Sequence, residues 1–357
     1  MTTPAAQMDV AVCVEPGHLR LEQRPLPRPK AGEALVRIQR IGVCGTDIHA
    51  FSGRQPYFSY PRVLGHELAG TVEALADDVP GALRAQLLGQ QVYVIPYLHC
   101  GQCRACQRGT TNCCQQMQVV GVHQDGGMAE WLTVPVGHLV ACQTLTLDEL
   151  ALVECQAIGA HAVRRAAVTE RDLVAVVGTG PIGIGVAQVA RAQGARVVVL
   201  DSNAERLAFC REALGFHDTL LVGQDDPAQQ LVQLNQGALA DVVFDATGNP
   251  AAMEAGFELV GHGGRYVLVS LVKADIRFHD PDFHAKEVTL LASRNATGED
   301  FAKVIDLLAT GQLKVSPMIT HRAELCELPD TMAQWCDSSN GVIKAMISVP
   351  DRTADQS

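Results

Sequence analysis

Leu173-Val-Ala-Val-Val-Gly178-Thr179-Gly180-Pro181-Ile182-Gly183 is the stretch whose reading decides the fold. Its run of short apolar residues reads as a strand buried on both faces. The glycines then match G-x-G-x-x-G, and an amphipathic helix is expected over roughly 182–193. Each glycine has a physical task in such a turn: a tight bend, backbone approach to a pyrophosphate, and close helix–strand packing. The positive end of the helix then faces the phosphates. The motif alone is weak, but its setting is right, and Asp201 follows the next strand-like run, Arg196–Leu200. That is about the offset at which a carboxylate takes the adenosine ribose 2′-OH and repels a 2′-phosphate. The expected cofactor is NAD rather than NADP. Its candidate contacts are Gly178, Thr179, Gly180, Pro181, Ile182, Gly183, Asp201, Arg206 and Thr247.

Working outward, further apolar runs alternate with helical stretches. RVVVL at 196–200 is followed by a helix near 203–214, DVVFDA at 241–246 by a helix near 251–260, and then come RYVLVS at 265–270 and VTLLA at 288–292. This is the pattern of a doubly wound parallel sheet covered on both faces. The region before about residue 150 differs. Ala34–Arg40, Gln91–Pro96 and Glu130–Pro135 are short alternating runs between turn residues, which argues for an antiparallel, barrel-like β region. Arg24–Gly32 is a loop, because its three prolines and final glycine cannot sit inside an element. The stretch after 293 opens with a helix, Glu299–Ala309, and returns to short strands such as Val342–Val349. The expected organisation is a β-rich catalytic domain, 1–151 and 293–357, interrupted by a Rossmann domain at 152–292.

The chain has 357 residues and a net charge of −11. Two domains suit that length. An acidic chain has no general attraction for nucleic acid or anionic lipid, so neither is an expected partner. The N-terminus lacks the basic and apolar segments of a signal peptide, and the longest apolar stretch is broken by glycines. A soluble, cytoplasmic protein is expected.

Twelve cysteines is a high count for such a compartment and points to metal before disulfides. Cys100, Cys103 and Cys106 stand at C-x2-C-x2-C spacing, with Cys113 or Cys114 available as a fourth thiolate. Four thiolates close a tetrahedral shell around zinc and leave no open position, so the site is structural. An iron–sulfur cluster is the rival reading. A second constellation joins Cys44, Thr46, Asp47 and His49 with His66, Glu67 and, much later, Glu154. A catalytic zinc needs about three protein ligands and an exchangeable position. Cys44 and His66 could supply a thiolate and an imidazole, and Glu67 or Glu154 a carboxylate.

These motifs occur in an order that resembles the zinc-containing medium-chain alcohol and polyol dehydrogenases over essentially the whole chain. The matching stretches are GVCGTDIH at 42–49, VLGHE at 63–67, the cysteine lobe, DGGMAEW at 125–131 and VGTGPIG at 177–183. The resemblance implies a Rossmann domain inserted in a GroES-like catalytic domain. It implies two zinc ions per chain: a catalytic one at Cys44, His66 and Glu67, with Glu154 as ligand or as partner of the zinc's water, and a structural one at Cys100, Cys103, Cys106 and Cys114. Within the family, SYPRVLGHE, TNCC, GVHQDGG, GAHAVRR, ATGN and SRNAT–EDFAKV resemble bacterial sugar-acid dehydrogenases of the L-galactonate 5-dehydrogenase type, which oxidise a hexonate to a keto-hexonate. Cys155 and Gln156 depart from the proline and aromatic that many relatives carry after the late glutamate.

The reaction so implied is reversible oxidation of a secondary alcohol, with hydride passing to NAD. A metal lowers the pKa of the alcohol, as it does that of bound water. Thr46 could take the proton and pass it through the cofactor ribose to His49 at the surface, where imidazole exchanges protons near neutrality. Asp47 orients rather than titrates. Arg294 and Asn295, after the last sheet strand, are candidates for holding substrate hydroxyls or a carboxylate. A local ion pair or cofactor contact is the equal alternative for Arg294. A homo-oligomer, dimer or tetramer, is expected. The alternatives are a sorbitol-like polyol dehydrogenase, a zinc-free reductase of the superfamily, which would lack Cys44, His66 and the cysteine lobe, and a redox-sensing protein on the same scaffold, which would have lost Thr46 and His49.

Overall fold

The computed structural model describes residues 7–55 and 58–350. They form two compact units. One gathers the described residues up to Glu154 and from Met318 onward; the other is Cys155–Pro317. The first break falls inside one helix, Leu147–Arg165. The second lies well beyond the expected 292, and the physical reason is in the side chains of 293–317. Helix Gly298–Ala309 buries Phe301, Val304 and Leu307, and Arg164 grips its Asp300. Further on, Gln188 in the helix after the glycine motif exchanges two hydrogen bonds with the backbone of Lys314, at 3.1 and 2.8 Å. This segment therefore belongs with the cofactor-type unit.

That second unit holds a six-stranded parallel sheet. Its spatial order is Thr219–Leu221, Arg196–Asp201, Leu173–Val177, Ala240–Asp245, Val260–Leu268 and Thr289–Ala292. The order runs 3-2-1-4-5-6, the doubly wound arrangement whose direction reverses beside the first strand. Leu173–Val177 is buried at every position, as its unbroken apolar run requires. The expected helix near 251–260 is shorter, Pro250–Ala255, and continues as a 3₁₀ turn over Gly256–Leu259.

The other unit is built on a seven-stranded sheet. Leu139–Ala141, Gln91–Val94, Glu67–Leu75, Glu33–Val43, Lys344–Ser348 and Ile319–Glu324 lie side by side, and Trp131–Pro135 also pairs with Glu33–Val43. Gln7–Glu15, His18–Pro25 and Arg62–Val63 form a second sheet. Between the layers sit Val10, Val12, Ile38, Ile41, Leu68 and Met128, all at most 1% exposed. The register places Gly42 opposite Glu67, with Met346 opposite Gly42 on its other side. Three strand ends thus meet around Val43, Glu67 and Lys344, and the candidate metal ligands lie there.

Candidate metal centres and cofactor cradle

Cys44 directly follows the strand Glu33–Val43 and caps helix Gly45–Phe51, while His66 directly precedes the strand Glu67–Leu75. Antiparallel pairing of these two strands brings together residues that are far apart in sequence. One ligand atom each from Cys44, His66 and Glu67 lies within 4.8 Å of the others. Asp47 fixes both approaches: Oδ2 accepts from the Cys44 amide at 2.9 Å and Oδ1 from the Gly65 amide at 3.1 Å. His66 Nδ1 lies 3.7 Å from Asp47 Oδ1 and has no hydrogen-bond partner among the described residues. Such a carboxylate behind an imidazole sets ring orientation in metal sites.

Glu67 is fully buried, and both its oxygens accept from Lys344 Nζ, at 2.7 and 2.9 Å; the third ammonium donor reaches the Val43 carbonyl at 3.0 Å. Gly42 makes room for this pair, because a Cβ there would strike Glu67 Oε2. Glu154, 2% exposed, receives the Tyr97 hydroxyl on Oε1, but its buried Oε2 has no partner among the described residues. Burial pushes the Glu154 carboxyl up to about 7 against the pull of His66. Burial also disfavours an imidazolium at His66, but the negative charges of Asp47, Cys44 and Glu154 outweigh it and raise the group well above its ordinary value. A bound cation would offset this concentration of negative charge, and its ligands would bind it in their deprotonated forms. The donor set of a thiolate, an imidazole and carboxylates, with one orphaned oxygen, fits zinc.

In the cysteine lobe, Sγ–Sγ separations are 3.5 Å for Cys103–Cys106, 3.5 Å for Cys100–Cys114 and 3.9 Å for Cys103–Cys114. A tetrahedron with Zn–S bonds of about 2.3 Å has edges of roughly 3.8 Å. Backbone amides of Cys100, Cys103 and Gln116 already point at these sulfurs, at 3.3 Å each. The four-cysteine group contains Cys114, whereas Cys113 is exposed and outside it.

The glycine motif opens helix Pro181–Ala192, whose N-terminus has Gly180 as cap and no side-chain capping bond. Its first amides are therefore left for an anion. Gly178 has φ +95°, and a Cβ on Gly183 would run into the Gly178 carbonyl oxygen. Asp201 ends its strand and accepts from Thr179 N at 2.7 Å, Thr179 Oγ1 at 2.6 Å and Asn203 N at 2.9 Å. The Arg206 guanidinium lies 3.6 Å from where a Gly180 Cβ would stand. Thr247 donates from both its amide and its hydroxyl to the buried Asp245, whose carboxyl burial raises to about 6. These groups suit a dinucleotide.

A family model for an alcohol dehydrogenase GroES-like domain matches residues 30–144, and one for a zinc-binding dehydrogenase matches 181–310. The chain is 45% identical over 341 residues to the L-galactonate-5-dehydrogenase of Escherichia coli (strain K12), covering 96% of this chain and 99% of that one. It is a zinc-containing medium-chain alcohol dehydrogenase. This dehydrogenase is also 31% identical to a 2-dehydro-3-deoxy-L-galactonate 5-dehydrogenase of Pseudoalteromonas atlantica, over 89% of its length and 92% of the relative's. The rspB protein of Escherichia coli CFT073, solved with NADH, superposes with a TM-score of 0.89 at 28% identity, over 96% of this chain and all of that one.

Sequence reasoning about the dehydrogenase passed over Tyr97 and Lys344. Each stands alone in a short strand, distant from the residue it binds, and carries no spacing signal. The remaining candidates lie as follows. Thr46 is half-buried and His49 exposed, both on helix Gly45–Phe51; Arg294 is exposed and Asn295 half-buried, just after strand Thr289–Ala292.

Proposed function

We propose that the dehydrogenase oxidises the C5 hydroxyl of a hexonate of the L-galactonate or L-gulonate kind to a ketone, with NAD as hydride acceptor. The observation that carries this is the 45% identity to an L-galactonate-5-dehydrogenase across 96% of the chain. Cys44, His66 and a carboxylate from Glu67 or Glu154 hold the catalytic zinc. Glu67 is the carboxylate grouped with Cys44 and His66 but is held by Lys344, while Glu154 offers an uncommitted Oε2, so each has one observation in its support. Zinc in that place supplies a Lewis acid for the alcohol oxygen. Cys100, Cys103, Cys106 and Cys114 hold the structural zinc.

Thr46 and His49 are three apart on one helix and so share a face. His49 takes the substrate proton by way of the Thr46 hydroxyl and delivers it to solvent. Desolvation of the ring, helped by the Arg54 charge, lowers the pKa of His49 and so favours the neutral imidazole that can accept a proton. Asp201 selects NAD by taking the ribose diol. Arg206 and Thr247, with Gly178, Thr179, Gly180, Pro181, Ile182 and Gly183, complete the cofactor contacts. Arg294 and Asn295 hold the substrate's carboxylate and hydroxyls.

The enzyme works in the cytoplasm as a homo-oligomer. No helix among the described residues is long and apolar enough to cross a membrane. Thr289–Ala292 is an edge strand with Leu290 40% exposed, and such an edge favours pairing with a second copy. The decisive experiment is NAD reduction measured across hexonates, polyols and simple alcohols. A hexonate preferred by catalytic efficiency supports the reading; turnover of polyols alone overturns it.

A further inference from the structure

Two consecutive arginines hold both sides of the segment that follows the last sheet strand. Helix Leu147–Arg165 ends on Arg164 and Arg165. Arg165 Nε donates to the carbonyl of Ala292, the last residue of its strand, at 2.6 Å. Arg164 Nε donates to Asp300 Oδ1 at 2.7 Å, and its Nη2 reaches Asp300 Oδ2 at 3.0 Å and Thr297 Oγ1 at 3.1 Å. Asp300, 1% exposed, also meets His161 Nδ1 at 2.8 Å and accepts from the amide and hydroxyl of Thr297 at 2.8 and 2.9 Å. Residues 293–296 lie between these two anchors.

What lies between them explains the investment. Asn295 has φ +51°, in the left-handed region, which asparagine adopts more readily than other non-glycine residues. Ser293 Oγ and Asn295 Nδ2 are buried and have no hydrogen-bond partner among the described residues. Buried polar atoms left open at such a place are those a ligand completes. The place itself, beyond the carboxyl end of a parallel strand, is where these sheets bind ligands.

We infer that Arg164 and Arg165 are positioning residues: they lock 293–296 into the conformation that presents Arg294 and Asn295 to a polyhydroxylated carboxylate. Ser293 Oγ is a further hydrogen-bonding group for the same ligand. The inference rests on the reading of Arg294 as a carboxylate contact. The two arginines differ in what else they do. Arg164 binds the buried aspartate that caps helix Gly298–Ala309, so its loss also strains the fold. Arg165 is exposed and is the cleaner probe.

The test compares Arg165→Ala, Arg294→Ala and the double variant as zinc-loaded enzymes. Read out are kcat and KM for L-galactonate and for neutral galactitol, the melting temperature, and amide hydrogen exchange over 293–297. In Arg165→Ala, KM for the hexonate should rise about tenfold with kcat and melting temperature nearly unchanged, since a small misplacement of a contact group suffices for such a loss. Exchange over 293–297 should quicken, and the double variant should be no worse than Arg294→Ala. If Arg294→Ala raises KM and Arg165→Ala does not, the clamp is refuted while the substrate reading stands. Fully additive losses in the double variant refute action through Arg294. If Arg294→Ala treats acid and polyol alike, the substrate reading itself has failed. Arg164→Lys, which keeps the charge but not the bidentate fork, should fall between the parent and Arg165→Ala in KM; a lower melting temperature with the parent's KM would mark Arg164 as structural only.

Discussion

Lys344 and Glu67 form an ion pair almost wholly removed from water, with side chains 1% and 0% exposed and every ammonium proton directed at an oxygen of Glu67 or Val43. Its two residues come from strands on either side of Glu33–Val43. Such a pair adds little net stability when complete, but breaking it leaves an unmatched buried charge, at a cost of about 3–5 kcal/mol. Lys344→Met should therefore lower the urea midpoint of unfolding by the equivalent of that amount. The double variant Lys344→Met with Glu67→Gln should recover part of it. An unchanged midpoint in the single variant would show that the charge is not held as described.

The cysteine lobe makes a sharper distinction between neighbours. Cys103→Ser should lose about one of two zinc ions per chain by elemental analysis and lower thermal stability. Cys113→Ser, which alters an exposed thiol outside the group, should keep both ions and the parent's stability. Zinc loss in the Cys113 variant would reassign the fourth ligand, and iron in the parent protein would replace zinc altogether.

For the cofactor, Asp201→Asn is more informative than removal of the side chain. The amide keeps one acceptor oxygen, enough for either the Thr179 or the Asn203 amide, and loses the negative charge. The preference for NAD over NADP, as a ratio of kcat/KM, should fall about tenfold, a change of roughly 1.4 kcal/mol. A parent enzyme that uses both cofactors equally would remove this role from Asp201.

The metal-free protein should show a pH signature. Burial raises Glu154 to about 7, above its ordinary range, so its folded form binds the proton more tightly than its unfolded form. That contribution is complete at pH values below the ordinary carboxyl range and is lost as pH rises toward about 7. His66, also raised, acts in the same direction. Chelated protein should lose stability across that window, and Glu154→Gln should flatten the loss. A chelated parent whose unfolding midpoint stays level through the same range would contradict the burial of this carboxyl.

The relay makes the last prediction. His49→Gln should slow alcohol oxidation most on the acid side of neutrality and progressively less at alkaline pH, where hydroxide substitutes for the missing base. Zinc content should not change. A pH–rate profile that overlays the parent would take the proton route away from His49.

Much of the cofactor-type unit was legible because its signals are local: an all-buried valine strand, a glycine turn and a helix in direct succession. Thr219–Leu221 is too short to show a period, and helix Leu147–Arg165 is buried on nearly every side, with Glu154, Gln156 and His161 among its buried residues, so no amphipathic face marks it. The boundary after Pro317 was hidden because Gln188 and Lys314, whose bonds set it, are 126 residues apart. In the metal centres three cysteines of the lobe were plain from spacing, whereas the fourth stayed open between Cys113 and Cys114 until the family resemblance pointed to Cys114. Lys344 was not, because its partner lies 277 residues away and only strand pairing joins them.

The crowded sulfurs of the lobe bear on how the protein should be handled. Without a cation, hydrogen bonds from backbone amides hold the Cys103 thiol down at about 6, while burial and neighbouring thiols push Cys106 up to about 12. At neutral pH the stripped lobe therefore presents a thiolate 3.5 Å from a second sulfur. Given an oxidant such as peroxide, the thiolate becomes a sulfenic acid, and Cys106 condenses with it to a disulfide and releases water. Zinc bound by these four side chains would protect them, and a chelated sample kept without reductant should lose its capacity to take the metal back, which zinc reloading before and after peroxide would measure.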